Sequence, residues 1–312
     1  MKRILLLLAL CVATSSTLSA NGSRPEATER KGMEDCGLSL YGDIESLTVK
    51  NYDVSLKFGE IVLDDMNSME TFTFNHAGDL QEMTTYNTLG EIDDRLMYSY
   101  DEDRKMLDVT YYSVDGELQM KQIYTYDTAG RISYIADYNG DGSLFKKAIN
   151  KYNTAGKLIE TLYFYNDGSL MYGYSYMYDD LGDMVETVVF DADIADAEKY
   201  TFQYDQSGNI VEKHEYYYDE LQAKYYNTYD SEGYLFETIC YNSDEIIAVR
   251  YRYKYDSAGN LTKRIEYRED DMSMYTTLYK YDSRNNLIEK TLYTSEAMIP
   301  TMMTLYEITY RR

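Results

Sequence analysis

From about residue 70 onward the chain alternates apolar or aromatic residues with polar ones in steps of two, as in Tyr275, Thr277, Tyr279, Tyr281. A period of two puts successive side chains on opposite faces of a β-strand. The same segments are rich in the aromatic and β-branched residues that strands favour. Nothing between residues 70 and 293 reads as a sustained amphipathic helix. Only two prolines occur, Pro25 and Pro300, both outside the periodic region. Proline cannot donate to a sheet ladder, so this spacing suits a long run of paired strands.

The alternation is punctuated. An aromatic residue followed by Asp or Asn recurs at Phe74, Tyr100, Tyr126, Tyr152, Tyr178, Tyr204, Tyr229, Tyr255 and Tyr281, 26 residues apart except for one step of 25 between Tyr204 and Tyr229. Four residues after each anchor stands Gly, apart from Arg104 and Asn285. Asp and Asn bond their own downstream backbone, and Gly and Asn accept positive φ, so the pair specifies a tight turn. Arg104 breaks the rule, and a distorted turn is expected there. Six residues after the anchor comes an apolar residue and twelve after it a second aromatic, in all nine copies. A second turn follows, clearest at Asp115-Gly116, Asp141-Gly142 and Asp167-Gly168. Each unit is therefore two strands and two turns. The expected fold is an all-β antiparallel meander of about nine 26-residue hairpin repeats, roughly eighteen strands, in a long curved or spiralling sheet. A propeller is the rival, but nine units do not divide evenly into four-stranded blades.

Tyr204-Asp-Gln-Ser-Gly-Asn-Ile210 and Tyr255-Asp-Ser-Ala-Gly-Asn-Leu261 resemble the YD motif of Rhs-type repeat proteins. The resemblance covers residues 70 to 300 and implies a meandering sheet that curls into a spiral or shell. This chain departs from the family in its somewhat longer period and in lacking the long core and C-terminal toxin domain, so toxin activity and self-cleavage are not implied.

The ends read differently. Lys2 and Arg3 followed by the apolar run Ile4–Ala13 have the form of a signal peptide over 1–20, too short for a membrane span. Cys11 lies in that run after Leu10, where lipidation would require a small residue. Residues 21–36 form a flexible leader. Residues 37–70 hold strand-like pieces, Leu47–Lys50 and Glu60–Leu63, expected to cap the first repeat. Residues 71–312 are the repeats, closed by a last strand carrying Leu305, Ile308 and Tyr310.

Tyrosine dominates the composition, with 38 Tyr and no Trp. The formal net charge is −24, and it becomes −26 without the signal, which holds two basic residues and no acid. Such a charge disfavours nucleic acid and anionic membrane surfaces as partners. Cys36 and Cys240 are a single pair on distant segments, not a disulfide framework, and are read as unpaired.

If each anchor faces the apolar residue six later, stepping outward by two sets the aromatics Tyr98, Tyr124, Tyr176, Tyr253 and Tyr279 beside the carboxylates Glu160, Glu186, Glu212 and Glu237 on one face. These rows are either repeat-to-repeat ladders or a binding surface, with rings stacking on sugars and carboxylates bonding hydroxyls.

Catalytic chemistry is not evident. His76 and His214 are the two histidines, and His214 sits mid-strand between Lys213 and Glu215. No zinc spacing or phosphate loop occurs. Asp137-Tyr-Asn-Gly-Asp-Gly-Ser143 opens like an EF-hand loop but has Ala148 where a bidentate Glu is required. No cofactor or metal is expected. If the chain were an enzyme, the irregular units near Arg104 or Asp191–Glu198 would be the places to look. The expected function is an exported bacterial, non-enzymatic scaffold in the periplasm, on the cell surface or in the medium, without a membrane span. It would bind glycan or envelope protein through the Tyr/Glu face. The alternative is a purely structural shell or spacer.

Overall fold

The computed structural model describes residues 31, 33, 38–192, 198–268, 273–294 and 297–312. The signal, most of the leader with Cys36, and residues 193–197 lie outside the described residues. The described residues form twenty strands. They are β1 Ile44–Lys57, β2 Glu60–Phe74, β3 Leu80–Tyr86, β4 Ile92–Tyr100, β5 Met106–Ser113, β6 Leu118–Tyr126 and β7 Ile132–Asn139. There follow β8 Leu144–Tyr152, β9 Leu158–Tyr165, β10 Leu170–Tyr178, β11 Met184–Asp191, β12 Glu198–Tyr204, β13 Ile210–Tyr217 and β14 Glu220–Tyr229. The last are β15 Leu235–Asn242, β16 Ile247–Tyr255, β17 Leu261–Tyr267, β18 Ser273–Tyr281, β19 Leu287–Thr294 and β20 Ile299–Tyr310. Among the described residues no helix is long and apolar enough to cross a membrane.

Each strand pairs antiparallel with the next, and β20 also pairs antiparallel with β1 over nine residue pairs, from Ile44↔Tyr310 to Asp53↔Met302. The sheet is therefore a closed barrel, where the sequence predicted a long curved or spiralling sheet. The residues expected to cap the first repeat include β1 and most of β2, and this hairpin raises the count to an even twenty. An even count brings the first and last strands together antiparallel, and closure removes both edges.

The nine anchor turns share one geometry. In each, the Asp or Asn Oδ1 accepts backbone N–H groups downstream, as Asp256 does from Ala258 and Asn260, both at 2.9 Å. The residue four after the anchor takes positive φ, 80° at Gly259. This is a type I turn followed by a left-handed residue. Arg104 adopts φ 62° and keeps the same bonds, Arg104 N–H to Asp101 O at 3.1 Å and Asp101 N–H to Lys105 O at 2.9 Å. The expected distortion is absent because the Arg104 guanidinium is held by the buried Asp79 carboxylate at 2.5 Å. The single 25-residue step also has a cause. Between β13 and β14 the loop shrinks to Tyr218 and Asp219, at φ 49° and 60°, a two-residue turn where its counterparts use a longer loop.

A buried apolar cluster lies at the seam. Leu47 and Val49 of β1 and Phe72 and Phe74 of β2 pack with Leu80, Met33 and Leu40. The N-terminal residues bridge the seam: Leu80 N–H donates to Lys31 O at 2.8 Å, and Tyr41 N–H donates to Asn286 Oδ1 at 2.7 Å.

Candidate functional site

A register shift accompanies every anchor turn. Tyr100 pairs with Met106, but Ser99 pairs with Asp108 and Tyr98 with Val109, so Leu107 is an extra residue. The same shift recurs from Phe74/Leu80 to Tyr281/Leu287. A one-residue slip moves side chains to the opposite face. The two predicted rows are thereby separated, which corrects the one-face arrangement. Tyr98, Tyr124, Tyr176, Tyr253 and Tyr279 lie on one face, opposite residues nine after the anchor. Glu160, Glu186, Glu212 and Glu237, eight after it, lie on the other.

Burial identifies which face is inside. It pushes up the hydroxyl pKa of Tyr163, Tyr172, Tyr174, Tyr176, Tyr253 and Tyr279, all on the first face, Tyr163 to about 12. The second face carries the solvent-exposed mid-strand side chains Met97, Ile123, Met177 and Tyr226. The first face is therefore the concave inner wall.

The outer carboxylates are engaged across strands. Glu237 meets Arg252 at 2.8 Å, Glu289 meets Lys280 at 2.8 Å, Asp108 meets Lys121 at 3.3 Å, and Lys151 bonds Glu160. Glu212 holds His214 Nε2 at 2.5 Å, which makes His214 a member of this ladder.

The inner wall is aromatic. Tyr163 of β9 stacks on Tyr172 of β10 at 4.4 Å between ring centroids, and Tyr174 and Tyr176 continue the cluster along β10. Asp137 beside it is 4% exposed and accepts from Gln122 Nε2 at 2.7 Å, with Lys146 Nζ at 3.4 Å. This bonding explains the acidic stretch that mimics a calcium loop: Asp137 is tied into the wall, and Asp141 caps its own turn through Ser143 N–H at 2.9 Å. Among the described residues no group of three metal-ligating side chains converges.

The anchor tyrosines form an inner rim. Seven of the eight anchor tyrosines reach back through the hydroxyl to the carbonyl that opens the preceding hairpin, while Tyr255 stacks on Tyr234 at 4.8 Å. Tyr126 donates to Met106 O, Tyr178 to Leu158 O, Tyr229 to Ile210 O and Tyr281 to Leu261 O, each at 2.8 Å. Two repeats replace the tyrosine two before the anchor by Asn150 and Asn227, which donate to the Ile132 and Ile210 carbonyls at 2.9 Å.

Sequence reasoning missed the inner residues nine after the anchor. They include Lys213, opposite Phe202; Arg264, opposite Tyr253; and Lys290, opposite Tyr279. The signal was a basic residue at the same repeat position, legible only once the extra residue in each turn is allowed for.

No family model and no curated protein matches the chain. Among solved structures, it is similar to a porin-like protein from Bacteroides uniformis, at 12% identity and TM-score 0.39, covering 85% of this chain and 98% of that one. It is also similar to the TcdB2-TccC3-Cdc42 complex, at 14% identity and TM-score 0.33, covering 87% of this chain. The chain spans 16% of the length of that larger protein. These likenesses are distant, and no ligand or activity passes from them to this chain.

Proposed function

We propose that this is an exported, non-enzymatic binding barrel that holds a hydroxyl-rich ligand, a glycan, against its tyrosine-lined inner wall. The observation that carries the reading is the stacked cluster of Tyr163, Tyr172, Tyr174 and Tyr176, with Tyr253 of β16 and Tyr279 of β18 on the same face farther round the barrel. Tyrosine offers a flat apolar ring and a hydroxyl at its edge, the combination that recognises sugar rings. A barrel of about sixteen or more strands encloses more space than its own side chains fill. The outer face carries Glu82, Arg95, Lys121, Lys147, Glu212 and Lys263 on strands spread around the barrel. Charge facing lipid at the bilayer centre would cost about 2–4 kcal/mol per basic residue, so this face suits water.

The alternative is a structural shell whose contacts are all internal. It is favoured by the cross-strand pairing of the outer carboxylates and by the anchor hydroxyls bonding backbone. Glycan-array screening of the full chain, followed by calorimetry on the best ligand, separates the two. Tyr253→Ala and Tyr279→Ala are expected to weaken binding about tenfold each, the scale of one lost stacking contact, while Glu186→Gln on the outer face leaves it unchanged. Absence of binding across the array supports the shell.

A further inference from the structure

The chain carries 54 acidic and 30 basic residues, and the cations of the inner wall fall into two kinds. On the inner wall, Lys146 is paired with Asp137, and Lys213 with Glu215 at 2.7 Å. Arg264 and Lys290 differ: among the described residues neither makes an ion pair. Arg264 stands opposite Tyr253 on one side and Thr277 on the other, and its guanidinium lies 5.5 Å from the centroid of the Tyr251 ring. Lys290 stands opposite Tyr279 and Thr304, and its side chain is open to the interior. One strand, β18, separates them, and their partners on it, Thr277 and Tyr279, are two residues apart, so their backbones are about 12 Å apart. Long side chains can converge on one oxyanion across that gap. The nearest acid along β17 is Glu266, which pairs in register with Tyr251 and Tyr275.

The geometry points to Arg264 and Lys290 as an oxyanion site on the inner wall, which selects glycans whose sugars carry a carboxylate or a sulfate ester, with Tyr253 and Tyr279 as the ring platform. Desolvation by the surrounding wall and, second to it, the nearby Arg264 charge pull the Lys290 pKa down, and a bound anion would offset both. The guanidinium supplies a planar fork for two oxygens and the ammonium a point charge. The inference rests on the glycan-binding reading and narrows its ligand class.

The test is calorimetric titration of the full chain with three oligosaccharides of equal length: oligogalacturonate, sulfated oligogalactose and neutral oligogalactose. At least one charged oligomer is expected to bind at least tenfold tighter than the neutral one, with affinity falling as salt rises. Arg264→Gln and Lys290→Gln should each weaken that arm about tenfold, the scale of one charge-assisted bond. Lys213→Gln, whose charge Glu215 already neutralises, should not. Arg264→Lys, which keeps the charge and loses the fork, should fall between. Charged oligomers that bind no tighter than neutral ones, or affinities untouched by Arg264→Gln and Lys290→Gln, overturn the oxyanion site. In that case the broader reading survives if neutral binding is lost in Tyr253→Ala. No binding in any arm overturns both.

Discussion

Arg104 shows how single residues settle the turns. A left-handed conformation costs an ordinary residue roughly 1–2 kcal/mol, and glycine occupies that position in seven of the nine copies. What holds Arg104 there is Asp79, fully buried, bonded at 2.9 Å by Nε and 2.5 Å by Nη2. Arg104→Gly relieves the strain but leaves a buried carboxylate without its cation, and the second effect is the larger. A net loss of about 1–2 kcal/mol is expected from the urea midpoint; a gain would show that strain dominates. Hydrogen bonds from Asn209 and the turn backbone hold the Asp205 carboxyl below its usual range. A depressed folded pKa contributes stability that is present above the unfolded value, 3.8, and is lost as pH falls through the folded one. The barrel should therefore weaken below about pH 4, and Asp205→Asn should flatten that acid limb. An unchanged limb would remove this turn from the account. Tyr178→Phe deletes one rim bond, to Leu158 O, and should cost about 1 kcal/mol.

The strands were legible from the period-two alternation, and the turns from the Asp and Gly positions. All nine anchor turns appear where the spacing put them, including the two copies without glycine. The pairing of faces was not legible. It depends on one extra residue beside each turn, such as Leu107, and nothing in the alternation distinguishes a residue that pairs from one that bulges. That single residue separates the aromatic row from the carboxylate row and brings Arg264 and Lys290 inward. The seam was equally hidden, because it joins segments more than 250 residues apart, such as Thr304 and Asn51. Asn286 is its clearest mark. It is fully buried, takes the Tyr41 N–H and donates to Tyr41 O at 3.0 Å and Tyr310 OH at 2.7 Å. Asn286→Ala leaves those groups unsatisfied and should cost about 2–4 kcal/mol, with faster amide exchange in β1 and β20 than elsewhere. Uniform acceleration would mean that the seam is not a separate weak point.

At the scale of the whole molecule, the proposed binding surface follows from closure. A closed sheet has an inside, where tyrosines crowd and two cations stand without carboxylates, and an outside where opposite charges alternate across strands. An open spiral would leave β1 and β20 as free edges and the two faces less distinct. Closure is therefore the claim to test first, and cysteine cross-linking tests it without any ligand. Thr48 of β1 is the register partner of Glu307 in β20 and also of Thr71 in β2. Register partners on neighbouring strands lie within the distance a disulfide spans. In a Cys36→Ser, Cys240→Ser background, Thr48→Cys with Glu307→Cys should form a disulfide on mild oxidation, seen by mass spectrometry as one peptide joining the two ends of the sheet. It should form as fully as the local hairpin pair, Thr48→Cys with Thr71→Cys. Formation of the hairpin disulfide without the end-to-end one would contradict the barrel, and with it the inner wall.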